Sequence, residues 1–406
     1  TRVFNGSLIM NYVGHGSEES WAHERILGVN DINNWSNLDR LPFFITATCS
    51  FSRFDDPNRV SAGEETVLTP NGGAIAIMTT TRIVLAHSNK QLNEDFLWHL
   101  FRPVNGEIPR IGEIARLAKN DAANTQKNNR KFGLLGDPSL RLAYPYYNVN
   151  TTSISTQDVS EVADTLKALT RVVVTGEVTG SGGDVLESFN GVVYPTIYDK
   201  NLKLQTLGQD SKSDVDNFEL RKSVIFKGRA SVENGLFSFS FVMPKDISYQ
   251  FGTGRISYYA EDGTMDANGF NEDIVIGGID DNDIVLDNEG PEVEVYINDE
   301  DFVSGGMTSS NPILFVKLKD ENGINTVSTG IGHDITGLLN QETSNTLVLN
   351  EHYKANLDSY QEGFIYDPMS NVEPGLHHIE VKAWDVYNNS GKGFTEFIVA
   401  ESAELA

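Results

Sequence analysis

Apolar and polar positions follow two different rhythms along this chain. Up to about residue 145, short continuous apolar runs alternate with segments of helical periodicity. Leu8-Ile9-Met10-Asn11-Tyr12-Val13, Leu41-Pro42-Phe43-Phe44-Ile45-Thr46-Ala47-Thr48 and Gly72-Gly73-Ala74-Ile75-Ala76-Ile77-Met78 are brief apolar runs bounded by turn residues. Such runs predict strands buried on both faces, as in a parallel sheet. Between 88 and 101, Leu92, Phe96, Leu97 and Leu100 recur at helical spacing, with Ser88 as candidate N-cap and Pro103 as stop. Ile111, Ile114, Ala115 and Ala118 mark one face of a second helix over about 110–124. Phe132 to Leu142 closes the region with a turn and a short strand. This alternation predicts an α/β domain over residues 1–147.

From Val149 onward the period changes to two. Val172-Val173-Val174, Val192-Val193-Tyr194, Leu236 to Phe241 and Arg255 to Tyr259 read as strands, separated by turns such as Glu233-Asn234-Gly235 and Glu261-Asp262-Gly263. An acidic, apolar-poor stretch, Ile279-Asp280-Asp281-Asn282-Asp283, separates this series from a second one that begins at Val293. Strands with turns at short intervals predict two successive all-β, immunoglobulin-like sandwich domains, over 148–286 and 287–406.

Charge sharpens this division. The chain has 406 residues and a net charge of −26, with 31 Lys/Arg against 57 Asp/Glu. Residues 1–145 hold 15 of each sign, so the whole excess belongs to the β-region. An acidic surface of that kind repels nucleic acid and anionic lipid, so both are poor partners for the β-region. The chain has no apolar run long enough for a membrane-spanning helix. Thr1 opens almost directly onto a core-like stretch, so the chain reads as a fragment or processed product.

The single cysteine, Cys49, lies 34 positions after His15, which sits in the pocket Gly14-His15-Gly16-Ser17. Each follows one of the buried strands. Strands of a parallel sheet deliver their last residues to its carboxyl edge, where α/β proteins place their sites. A thiol attacks a carbonyl as thiolate, and an imidazole is the natural base for it and the natural acid for the leaving amine. Glycine beside the histidine lets backbone approach a substrate, so the N–H groups of Gly16 and Cys49 are candidate oxyanion donors. A lone cysteine in an apolar strand is also often a small buried hydrophobe, and a histidine in a glycine turn often only a turn residue. Spacing alone leaves both readings open, because Cys–His pairs have no fixed separation.

Asn11 to Glu18, Leu41 to Cys49 and Phe132-Gly133-Leu134-Leu135-Gly136-Asp137-Pro138-Ser139-Leu140 resemble the gingipain-type cysteine peptidases, a family of caspase-like fold. The resemblance covers about 1–145 and implies that this is the later part of the catalytic domain, with Cys49 as nucleophile and His15 as its partner. Gly191 to Lys200 and Ile256 to Ala260 look most like the branch acting as sortases (C-terminal signal peptidases) in Bacteroidetes type IX secretion. That resemblance implies removal of the C-terminal secretion signal from cargo proteins through a Cys49 thioester, resolved by a surface lipopolysaccharide amine or by water. Implied partners are the cargo, an outer-membrane β-barrel shuttle protein and other attachment-complex subunits. The implied location is the outer-membrane surface of a Gram-negative bacterium. The carboxylate that orients the histidine, and much of the specificity pocket, would lie before Thr1.

Other residues are weaker candidates. Arg82 suits a carboxylate-bearing group or a surface ion pair. Glu18 and Glu19 are placed to reach the histidine or to face solvent, and Trp21 and His23 to line a cleft or pack their loop. Asp280, Asp281, Asp283 and Asp287 have oxygen ligands for a structural calcium, but the run lacks the glycine and closing Glu of an EF-hand loop and reads as an acidic linker. The thiol chemistry requires no cofactor. His377 and His378 are adjacent in a strand, face opposite ways and make poor joint metal ligands. Two alternatives stand beside the sortase: a catalytically silent binding subunit, and a secreted gingipain-like protease.

Overall fold

The computed structural model describes the chain apart from residues 1–2, 4–5, 122–126, 157–164, 210–212, 280–286, 328–331 and 401–406. The chain forms two compact units, Thr1–Tyr144 and Pro145–Ala406.

The first unit is built on a four-stranded sheet. Strands β1 (Ile9–Val13), β2 (Phe43–Ala47) and β3 (Ala76–Thr80) run parallel in that order, and β4 (Phe132–Gly136) lies antiparallel on the far side of β3. Alternation along β2 divides the core into two layers. Phe43, Ile45 and Ala47 pack with Ala76 and Met78 against helices α3 (Ala86–Leu100) and α4 (Ile111–Asp121). Phe44 and Ile77 pack on the other face with Trp21, Ile32, Trp35, Phe51 and Ala62. There lie two short helices, α1 (Val29–Asn33) and α2 (Ala62–Leu68). Burying both faces of β2 and β3 explains their continuous apolar sequence.

Three local expectations shift. Helix α3 starts at Ala86, ahead of Ser88, which is buried inside its first turn. Leu85 is the N-cap and offers no side-chain cap bond; its own N–H donates to Asn128 Oδ1 at 3.2 Å. The third strand begins at Ala76, because Gly72 and Gly73 belong to the turn before it. Gly73 has φ +101° and donates to Asn37 Oδ1 at 2.9 Å. The sequence reading also missed α2, although Ser61 and Glu64 form a capping box at its start.

The second unit is all β and contains two separate apolar cores. In its first part, strands Tyr147–Thr156, Arg171–Thr179, Leu236–Val242, Ala230–Glu233, Gly191–Tyr198, Arg255–Glu261 and Asp266–Asn271 form one continuous ladder. Asp266–Asn271 returns to Tyr147–Thr156 by a short parallel pairing, which closes the ring. In place of the expected sandwich over 148–286, the described residues form a main sheet curled on itself, with a three-stranded sheet of Leu166–Ala168, Gly252–Thr253 and Val275–Ile279 and a two-stranded sheet of Leu202–Gln205 and Asn217–Leu220 beside it. The strand Tyr147–Thr156 makes this feasible, since a register shift between Thr151 and Ser153 bends it. In the second part, a four-stranded and a five-stranded sheet enclose a core that includes Ile297, Leu314, Val316, Ile365, Ile379, Val381 and Phe397. Among the described residues no helix is long and apolar enough to cross a membrane.

Candidate active site

β1 and β2 are hydrogen-bonded neighbours in parallel register, with Val13 opposite Ala47. His15 and Cys49 each lie two residues beyond that pair, at the same edge of the sheet. Neighbouring strands run about 4.8 Å apart, so the two backbones leave the sheet side by side. The Gly14 N–H still donates to the Ala47 carbonyl at 3.3 Å, which extends the pairing to the residue before His15.

The loop carrying His15 is tightly folded. Its carbonyl accepts from the Ala22 N–H at 2.8 Å and from the Tyr12 hydroxyl at 2.7 Å. Partial burial, with Glu24 acting the same way, raises the Tyr12 phenol above its ordinary value and keeps this donor protonated. Ser17 N–H donates to Ser20 O at 2.9 Å, so residues 16–21 form a small hairpin. Tyr12 stacks on Trp21 with centroids 4.4 Å apart and planes 4° apart, and Trp21 packs on Phe44 and Phe51. Both glycines beside the histidine are required by close approach. A Cβ on Gly14 would lie 2.6 Å from Tyr12 Oη, and one on Gly16 would lie 2.3 Å from Thr48 Oγ1.

Cys49 continues the β2 face that packs under α3 and is partly buried. Its Sγ lies 3.8 Å from the Val84 carbonyl. Ser50 follows at φ +51°, an uncommon conformation for a residue with a Cβ, and turns the chain sharply away. The turn is held by Ser50 N–H to Arg82 O at 3.2 Å, by Ser52 N–H to Thr80 O at 2.9 Å, and by the Thr80 hydroxyl donating to Thr48 O. Among the described residues, the N–H groups of Gly16 and Cys49 have no hydrogen-bond acceptor, and no hydrogen bond joins His15 to Cys49 or to a carboxylate.

The surrounding charges are paired with one another. Glu18 accepts from Arg53 at 2.7 Å and faces Arg59 at 2.9 Å. Arg82 makes a two-pronged pair with Asp55 at 2.9 and 2.5 Å, and its hydrogen bonds hold the Asp55 carboxyl below its ordinary value. These pairs tie the loops that follow β1, β2 and β3 to each other. They also answer three expectations: Glu18 does not reach the histidine, Arg82 is in an ion pair, and Glu19 lies 3.8 Å from Arg59. Trp21 packs its loop, whereas His23 is exposed. The reading of the sequence missed Tyr12 and Thr48. Thr48 Oγ1 is buried without a hydrogen-bond partner beside Gly16.

Of the acidic run proposed for calcium, Asp280, Asp281 and Asp283 lie outside the described residues. Asp287 meets Asp320 and Asp385, their ligand oxygens within 4.8 Å of one another. Burial pushes the Asp385 carboxyl up to about 6, although Asn389 pulls the other way. Amide donors from Asn322, Gly323, Tyr387 and Asn389 already satisfy much of this cluster. His377 is buried and stacked on Phe397, with Asn340 and the Glu373 carbonyl on its nitrogens, while His378 points to the other face near Glu396.

Comparisons with known proteins fall on the same segment. Residues 1–143 match Peptidase family C25. No curated protein matches the chain significantly. Among solved structures, dimeric latent PorU from Porphyromonas gingivalis aligns at 30% identity over 82% of this chain and 32% of its own, with a TM-score of 0.40. The pro- and mature domains of RgpB from the same organism align at 16% identity over 66% of this chain and 55% of theirs, with a TM-score of 0.33. This chain thus spans about a third of the PorU chain and about half of the RgpB chain. With a strand-end thiol and imidazole in the segment that the family covers, residues 1–143 belong to peptidase family C25, the gingipain-type cysteine peptidases.

Proposed function

We propose that this chain is part of a PorU-type sortase, a cysteine endopeptidase and transpeptidase that removes the C-terminal secretion signal from exported cargo. The observation that carries the reading is the β1–β2 register, which leaves His15 and Cys49 on adjacent strand ends with Gly16 against Thr48. Cys49 as thiolate attacks the carbonyl carbon of the scissile peptide, and the oxyanion accepts from the Gly16 and Cys49 N–H groups. His15 protonates the departing amine of the signal as the C–N bond breaks, leaving a thioester on Sγ. An incoming amine then attacks the thioester, gives its proton to His15 and releases the thiolate. Water in the same place yields a free acid.

In this reading the first unit is the later part of a caspase-like domain. The second β-core is immunoglobulin-like, and the acidic all-β unit docks attachment-complex subunits and the outer-membrane shuttle at the cell surface. The acceptor amine belongs to surface lipopolysaccharide.

The test mixes the full-length protein of which this chain is part, wild type and Cys49→Ala, with a cargo protein bearing its C-terminal signal and a small primary amine, and reads product masses. Loss of the signal with an amine adduct, abolished by Cys49→Ala, is the expected result. Free acid alone identifies a plain peptidase. No cleavage by wild type alone points to a binding subunit or to an enzyme that needs its membrane partners, and no cleavage with those partners present overturns the reading in favour of a binding subunit.

A further inference from the structure

The acidic second unit has four arginines: Arg171, Arg221, Arg229 and Arg255. Arg221 and Arg255 share Glu272, at 2.8 and 3.3 Å. Among the described residues, Arg171 and Arg229 have no carboxylate partner, and both line one cavity of about 230 Å³. In a unit with so large an excess of carboxylates, two guanidinium groups against the single carboxylate of Asp358 in one hollow are a local reversal of sign.

The hollow is built from well-ordered elements. Arg171 and Val173 open the strand Arg171–Thr179, paired with Val242 and Ser240 of the neighbouring strand. Ser238 and Ser240 contribute hydroxyls to the floor, and these have no hydrogen-bond partner among the described residues. Arg171 lies over the Tyr360 ring at 5.4 Å and Arg229 over the Tyr194 ring at 5.9 Å, which restrains both stems. Asp358 and Ser359 form the remaining wall. The Asp358 carboxylate is already occupied: it accepts from the Ser231 N–H and hydroxyl, each at 2.6 Å. Those donors are neutral, so Asp358 keeps its charge, and the cavity holds two guanidinium groups against one carboxylate.

We propose that this cavity binds a phosphate monoester group. A guanidinium presents a planar fork of donors matched to oxyanions, and two forks from separate elements supply more donors than one carboxylate can accept. A phosphate, with three terminal oxygens, uses both forks together with the Ser238 and Ser240 hydroxyls. The site is independent of the thiol chemistry of the first unit.

The experiment is calorimetric titration of the whole chain at low salt with inorganic phosphate and, separately, with glucose 1-phosphate. Saturable binding that weakens about tenfold or more in Arg171→Gln and in Arg229→Gln, but not in Arg221→Gln, is expected. Tighter binding of glucose 1-phosphate means that the phosphate is read together with a sugar; equal affinity means that the phosphate alone is read. If a Gln variant fails to unfold cooperatively on heating, the corresponding Lys variant replaces it. Lys keeps the charge but loses the fork, and a partial loss is expected. No saturable binding by wild type at millimolar phosphate, or equal binding by both arginine variants and wild type, overturns the proposal.

Discussion

Gly16 packs directly against Thr48: a Cβ at Gly16 would stand 2.3 Å from Thr48 Oγ1 and 3.2 Å from both Thr48 Cγ2 and the Ser20 carbonyl. The residue after the histidine therefore touches the residue before the cysteine, and the two strand ends cannot be set independently. Gly16→Ala should separate them. Overpacking of this kind costs about 1–3 kcal/mol of stability. On the proposed pairing of His15 with Cys49, displacing the imidazole should slow alkylation of Cys49 by iodoacetamide roughly ten- to hundredfold. Thr48→Ala removes both side-chain obstacles, so the double variant should recover much of the rate. A double variant as slow as Gly16→Ala would show that this contact is not what sets the geometry.

Trp21 anchors the histidine loop. It is buried against Tyr12, Phe44 and Phe51. Denaturant unfolding of Trp21→Ala should show a loss of about 3–5 kcal/mol. Tyr12→Phe keeps the stack and removes only the hydrogen bond to His15 O, so its loss should be near 1 kcal/mol. Equal losses in the two variants would refute this division of roles.

Glu18 joins the loop after β1 to Arg53 and Arg59 in the loop after β2. Both arginines are well exposed, so Glu18→Gln should change global stability by less than about 1 kcal/mol. Its effect should be local: faster amide hydrogen exchange over residues 50–60, matched in wild type by high salt. Unchanged exchange would mean that the backbone bond from Ala62 N–H to Glu18 O, at 2.8 Å, suffices.

Asp385 gives the second unit a pH dependence of defined sign. Burial raises its carboxyl from 3.8 to about 6 in the folded chain. The folded state therefore favours the protonated acid. The associated stability is complete below the unfolded value and is lost as pH rises through about 6. The unfolding midpoint of wild type minus that of Asp385→Asn should fall between about pH 4 and pH 7. A difference that is flat or rises with pH would contradict the shift.

Several parts of this architecture were legible in the residues. The apolar run before Cys49 marked a strand buried on both faces, and every residue of β2 is buried. The run before His15 also marked a strand, but β1 lies at the edge of the sheet with Asn11 and Val13 exposed, so the expected burial on both faces fails there. The face Ile111, Ile114, Ala115 and Ala118 marked α4, and all four are buried. The opposite orientations of His377 and His378 followed from the two-residue period of a strand. The Ser61–Glu64 capping box was equally legible but was not read, since α2 has only seven residues and no long apolar face.

What the chain alone determined is therefore local: strand and helix periodicity, the confinement of the net negative charge to the β-region, and a thiol and an imidazole each just past the end of a strand. The tertiary structure decided which strand lies beside which. Register is a long-range property, set when both faces of β2 pack against the rest of the unit. It brought Gly16 to Thr48, gathered Asp287, Asp320 and Asp385 from distant positions, and curled the first β-ladder into a ring. None of these has a signature in spacing, because each joins residues whose separation along the chain is set by loops rather than by chemistry.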